Sequence, residues 1–171
     1  MFKPRTIDSE PALYEAAVKI LMRRAHSVSE MKKALIRRTA DETLIQTVLA
    51  RLKQNGLIDD ARYAQQFARQ RTEIRQQGKY RVARELRARG VSEQHIEAAV
   101  DEAAANSDEA ALVRQRIERK LKLFRGEIDE RKIASLYRTL LRAGFSSDTI
   151  RRELKRATAE ELPEIESPEE S

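Results

Sequence analysis

Apolar residues recur along this chain at spacings of three and four, the mark of helices that each bury one face. Leu13, Ala16, Ala17, Ile20 and Leu21 form one stripe, and Leu44, Ile45, Val48, Leu49 and Leu52 form another. Tyr63, Ala64, Phe67, Ala68 and Ile74 make a third, followed by Val82 with Leu86 and then Ile96, Ala99, Val100 and Ala103. Val113, Ile117, Leu121 and Phe124 come next, then Ile133, Leu136, Tyr137, Leu140 and Leu141, and finally Ile150 and Leu154. No run alternates with a period of two, so strands are not expected. The four prolines all lie outside residues 12–162, and the five glycines fall between stripes. Ser27 with Glu30 reads as a capping box, and Asp59, Ser92, Ser107, Asp129 and Ser146 or Ser147 sit where N-caps belong. About nine helices are predicted.

One joint between stripes repeats. In LRARGVSEQHI, residues 86–96, Leu86, Gly90, Val91, Ser92 and Ile96 are spaced just as Leu140, Gly144, Phe145, Ser146 and Ile150 are. Leu35, Thr39, Ala40, Asp41 and Ile45 repeat the spacing again, with Thr in place of Gly and Asp in place of Ser. Glycine takes the left-handed conformation that ends a helix, the next apolar residue packs back, and Ser or Asp starts a new helix. The expected fold is all-α: three tandem three-helix repeats, 10–58, 59–106 and 107–158, stacked as an elongated, gently curved rod. Residues 1–9 and the acidic residues 159–171 are expected to be disordered.

Charge narrows the class of partner. From Glu160 onward the chain carries six glutamates and no Lys or Arg. The remainder holds 34 basic against 22 acidic residues, a net charge of +12, which favours an anionic partner such as nucleic acid or an acidic protein groove. The candidate contacts are Arg81, Arg84 and Arg87, opposite Val82 and Leu86 at 100° per residue, with Arg119, Lys122 and Arg125 and then Arg138 and Arg142. The acidic tail is a candidate competitor that folds back over the basic body. Tyr63, Phe67, Tyr80 and Tyr137 share helical spacing with Ala, Ile and Leu and are assigned to the core rather than to base stacking.

Catalytic signals are missing. His26 and His95 are isolated, Asp59 and Asp60 read as a cap and a dipole partner, and neither a phosphate loop nor metal-ligand spacing occurs. Cysteine is absent, and no apolar run is long enough to span a bilayer. The expectation is a cytoplasmic protein that is not an enzyme, with no catalytic residues, no cofactor and no metal. The alternative is a stand-alone DNA-binding regulator whose joints act as helix-turn-helix elements. Against it stand Leu86, where close helix crossing needs a small residue, and the acidic run of Glu93, Glu97, Asp101 and Glu102, ill suited to a phosphate-lined groove.

The runs LIDDARYAQQFARQR, 57–71, and GKYRVARELRARGVS, 78–92, resemble the central signature of the RecX family. AVKILMRRAHSVSEMKKAL, 17–35, and LYRTLLRAGFSSDTI, 136–150, resemble the first and third repeats of that family. The resemblance covers roughly residues 10–157 and departs from the pattern at Thr39. It implies a bacterial regulator of the RecA recombinase: three three-helix repeats in an elongated, curved monomer lying in the groove of the RecA–single-stranded DNA filament. It further implies inhibition of ATP hydrolysis, strand exchange and RecA-assisted repressor cleavage, and so modulation of DNA repair and the SOS response. Some members also bind DNA directly. No catalytic motif carries over.

Overall fold

The computed structural model describes residues 7–124 and 128–160. Nine helices lie among them: α1 (Glu10–Leu21), α2 (Val28–Ile36), α3 (Glu42–Gln54), α4 (Asp60–Glu73), α5 (Lys79–Ala88), α6 (Glu93–Ala105), α7 (Glu109–Leu121), α8 (Glu130–Arg142) and α9 (Ser147–Glu160). Each consecutive triple closes its own core. Leu13, Met31, Leu35, Ile45 and Leu52 anchor the first, Ala64, Val82, Leu86 and Ile96 the second, and Ile117, Leu140, Phe145 and Ile150 the third. Every closely packed helix pair, with α4–α6 and α7–α9 the most extensive, falls within one triple. The fold is therefore all-α, three successive three-helix units.

Caps set the helix boundaries. The Ser27 hydroxyl accepts from the Glu30 amide and the Glu30 carboxylate from the Ser27 amide, a complete capping box. Asp41, Asp59 and Asp129 each accept from the amide three residues on. The cap of α7 is Asp108, not Ser107 as the sequence suggested, because its carboxylate reaches the Ala111 amide. Three assignments to buried stripes are also corrected. Ile74 is 75% exposed just past the end of α4, Tyr80 is 58% exposed in the first turn of α5, and Leu141 is exposed on α8. Ile74 and Tyr80 lie at helix ends and Leu141 on the exposed side of α8, so apolar character alone did not place them inside.

The repeated joint takes two forms. In units 2 and 3, Gly90 and Gly144 have φ of 73° and 91°, and the Val91 and Phe145 amides close back onto the Leu86 and Leu140 carbonyls. In unit 1, Thr39 is buried, its amide closes onto Leu35 one residue tighter, and no left-handed residue is used. Accordingly α2 ends one residue past Leu35, whereas α5 and α8 run two residues past the equivalent leucines.

The same turn is also where units join. The equivalent carbonyls of Arg38, Arg89 and Ala143 each accept a hydrogen bond from the preceding segment. Ser27 Oγ donates to Arg89 at 2.6 Å and the Gly78 amide to Ala143 at 2.9 Å. Ser27 and Gly78 are the N-caps of α2 and α5, so each middle helix begins on the turn of the following unit. The Ile7 amide donates to Arg38 at 2.9 Å, so the turn of the first unit receives its hydrogen bond from the segment just before α1. Of the nine N-terminal residues expected to be disordered, 1–6 lie outside the described residues, as do residues 161–171 of the acidic tail.

Candidate functional site

A groove opens beside each joint. Between units 1 and 2, the α2 N-terminus sits over the α5–α6 turn, with the Val28 amide donating to Asp60 Oδ1 at 2.8 Å. Asp60 therefore reaches across the joint, a role beyond the dipole partner expected for it. Arg24 forks onto Glu30 through two 3.2 Å hydrogen bonds, and the Tyr63 hydroxyl donates to the same carboxylate at 3.2 Å. Burial alone would raise the Glu30 pKa, but Arg24, the Ser27 amide and Tyr63 together hold it below the usual glutamate range. A carboxylate with a depressed folded pKa contributes stability above its unfolded pKa, and that stability is lost as pH falls through the folded value. Glu30→Gln should therefore flatten acid destabilisation below the ordinary glutamate range. Thermal midpoints that follow pH identically in variant and parent would refute this.

The groove at this first joint is lined by Arg24 with its partner Glu30, by Tyr63, Phe67, Gln70 and Arg71, and by Arg89. The guanidiniums of Arg71 and Arg89 lie 4.7 and 4.6 Å from the Phe67 ring centroid, held there by cation–π attraction. Arg71 also pairs with Glu85 at 3.1 Å, while its Nε is buried with no acceptor.

Between units 2 and 3, the Gly78 and Tyr80 amides donate to the Ala143 and Gly144 carbonyls at 2.9 and 3.1 Å. A Cβ on Gly78 would overlap the Gly144 backbone, and one on Gly144 would overlap Arg81, so the chains meet without room for a methyl group. The groove beside this joint is lined by Arg116, Arg119, Lys120, Leu123 and Leu140, with Gln76 and Thr139 at its edges. Among the described residues no carboxylate lines it. Arg116 donates to the Gln76 carbonyl at 2.8 Å, where Gln76 holds a φ of 50°, and its guanidinium lies 5.2 Å from the Phe145 ring centroid. Burial, followed by the nearby charges of Arg119 and Arg81, pushes the Arg116 pKa below its ordinary value.

The two grooves are equivalent. The N-caps Asp59 and Asp108 bring α4 and α7 into register, so Phe67, Gln70 and Arg71 correspond to Arg116, Arg119 and Lys120. The sequence-predicted cations distribute unevenly about this frame. Arg119 lies in the second groove and Arg81 at its joint, where Arg81 is tied to Glu85 at 3.1 Å. Arg87 forks onto Glu93 on α6, one reason α6 begins with an acid. Arg84, Lys122 and Arg138 are exposed with no ionic partner among the described residues. Arg142 is exposed and reaches Thr139 at 3.5 Å, and Arg125 lies outside the described residues. Arg116 and Lys120, not among the candidate contacts named from the sequence, join Arg119 in this groove. The register of α7 on α4 was the signal that would have grouped them.

Comparison with known proteins agrees with this architecture. The family model described as RecX, first three-helix domain, matches residues 14–52, and that described as RecX, second three-helix domain, matches residues 59–100. A regulatory protein RecX from Halorhodospira halophila is 35% identical over 141 residues, spanning 82% of this chain and 84% of the relative. One from Thermobifida fusca is 32% identical, over 88% and 81%. The crystal structure of RecX from Lactobacillus salivarius superposes with a TM-score of 0.70 at 20% identity, covering 88% of this chain and 97% of that one. Among the described residues no helix is long and apolar enough to cross a membrane.

Proposed function

Because the chain belongs to the RecX family, we propose that it binds the groove of the RecA–single-stranded DNA filament and inhibits the ATPase, strand-exchange and coprotease activities of RecA. It thereby modulates DNA repair and the SOS response, acting in the cytoplasm as a monomer and without a cofactor. It is a regulatory protein, not an enzyme. The observation that supports the reading is the basic groove at the second joint, where Arg116, Arg119 and Lys120 meet no carboxylate among the described residues. A filament groove lined by protein and phosphate attracts such a surface with a strong salt dependence. Contacts spread over three linked units add avidity without one dominant pocket.

The test is RecA ATPase activity on single-stranded DNA with the purified protein added in stoichiometric amount. Inhibition is expected, and its absence would sink the proposal. Arg84→Glu with Arg138→Glu should raise the concentration needed for half-inhibition about tenfold while leaving helicity unchanged. Both side chains are exposed and have no ionic partner among the described residues, so the change is electrostatic rather than structural. Arg81 is a poorer probe, because its Cβ and amide pack against Gly144.

A further inference from the structure

We infer that the cavity between units 2 and 3 binds a small uncharged amphiphile: an apolar ring carrying one hydroxyl or N–H donor for the Gln77 side chain. Neither RecA nor nucleic acid enters into this, since the site is the interior of the joint itself.

The cavity has a volume of about 210 Å³. Val82, Val100 and Ala104 wall it from unit 2, and Leu112 and Phe145 wall it from unit 3. It exists because of residue size. Counted from the N-caps, Val82 of α5 holds the place of Met31 in α2, and Leu112 of α7 holds that of Tyr63 in α4. Both are smaller, so volume is lost where Met31 is fully buried at the first joint. Phe145, in the place of Val91, recovers part of that volume and leaves the rest open. Glu109 corresponds to Asp60, which ties the first joint through the Val28 amide. At the second joint Glu109 accepts instead from the Ser146 amide and from the Ser146 and Thr149 hydroxyls, each at 3.0 Å.

One polar group in the lining is left over. Gln77 is 8% exposed, and its side-chain oxygen has no hydrogen-bond partner among the described residues. A buried carbonyl without a donor costs free energy, which the O–H or N–H of a ligand restores. The residue is held in place beforehand. Its amide donates to the Arg71 carbonyl at 3.0 Å, and Gln76 before it keeps a φ of 50°, a strained region for any residue but glycine. Of the described residues, the charged ones in the lining are Lys79 and Glu109, one of each sign, and Glu109 already has three donors. That balance favours a neutral ligand over a phosphate or an acidic peptide. An apolar cavity of about 150 Å³ holds benzene, so this one accommodates a ring with a polar substituent, the size of phenol or indole. A molecule bound there touches both units at once and favours the closed joint by mass action.

Phenol and toluene separate the carbonyl from the walls, because they have nearly the same shape and differ by a hydroxyl in place of a methyl. The isotope-labelled full chain is titrated with each at millimolar concentration, without RecA or DNA, and followed by amide chemical shifts. Saturable shifts are expected at Gln77, Gly78 and Phe145, with phenol the tighter ligand, and saturating phenol should slow hydrogen exchange at the Gly78 and Tyr80 amides. Gln77→Leu should weaken phenol about tenfold, the scale of one neutral hydrogen bond, and leave toluene binding unchanged. Val82→Met, which places the first joint's residue in the second, should fill the cavity and abolish binding of both. Each variant should melt at or above the parent's temperature, since one removes an unpaired buried carbonyl and the other fills a void. The site is overturned by any of four results: no saturable shift in the parent, equal losses of phenol and toluene in Gln77→Leu, phenol binding retained in a folded Val82→Met, or unaltered exchange at saturation.

Discussion

Gly78→Ala is expected to loosen units 2 and 3 from each other while leaving all three cores intact. The added methyl would overlap the carbonyl carbon and oxygen of Gly144 and the Phe145 amide, which are backbone atoms that cannot rotate away. Relief requires the α5 N-terminus to lift off the α8–α9 turn, lengthening the Gly78–Ala143 and Tyr80–Gly144 hydrogen bonds. Overpacking of this kind costs about 1–3 kcal/mol. The Gly78 φ is ordinary, so the effect is purely steric. Gly56→Ala provides the contrast: φ is 66° but nothing lies within 4 Å of the new Cβ, so only backbone strain of about 1 kcal/mol is expected. Amide exchange should accelerate at Gly78 and Tyr80 in the first variant and not in the second. Unchanged protection at those two amides would mean that the joint tolerates the methyl. The second groove lies beside this joint, because Gln76, two residues before Gly78, accepts from Arg116, so Gly78→Ala should also weaken inhibition of RecA.

Ser27→Ala should destabilise the first joint by about 2–4 kcal/mol. The hydroxyl is fully buried and serves two partners, accepting from the Glu30 amide and donating to the Arg89 carbonyl. Loss of an N-cap costs about 1 kcal/mol, and leaving a buried carbonyl without its donor adds about 1–3. Ser27→Thr keeps both bonds and should recover most of the loss if the extra methyl fits. A second-site probe separates the cap from the joint. Ser29 packs beneath Gly90 without capping α2, so enlarging it should weaken only the contact between units. A Ser27→Ala midpoint within half a degree of the parent would show that neither bond contributes to stability.

The capping box at Ser27 and Glu30, the helix starts at Asp59 and Asp129 and the glycine turns at Gly90 and Gly144 are local events, governed by residues within six positions of each other. They were legible in the sequence for that reason. So was the repeat, because a turn that recurs needs the same residue types at the same offsets. The acidic tail and Arg125 raise expectations that fall outside the described residues. Exposure of Ile74, Tyr80 and Leu141 was not legible, since hydrophobicity states what a residue prefers and only the packing of its neighbours states whether space remains.

Local periodicity and cap chemistry by themselves determined the helices, their grouping in threes and the excess of positive charge. Which cations stay free was decided by tertiary structure, because a guanidinium is neutralised by whatever carboxylate the fold carries to it. Glu93 reaches Arg87 across a turn and Glu153 reaches Arg114 across 39 positions, while among the described residues no carboxylate lines the groove of Arg116, Arg119 and Lys120. The joints were decided in the same way. Ser27 meets Arg89 and Gly78 meets Ala143 over separations of more than 60 residues, contacts that exist only once the separate cores have formed and their turns stand side by side.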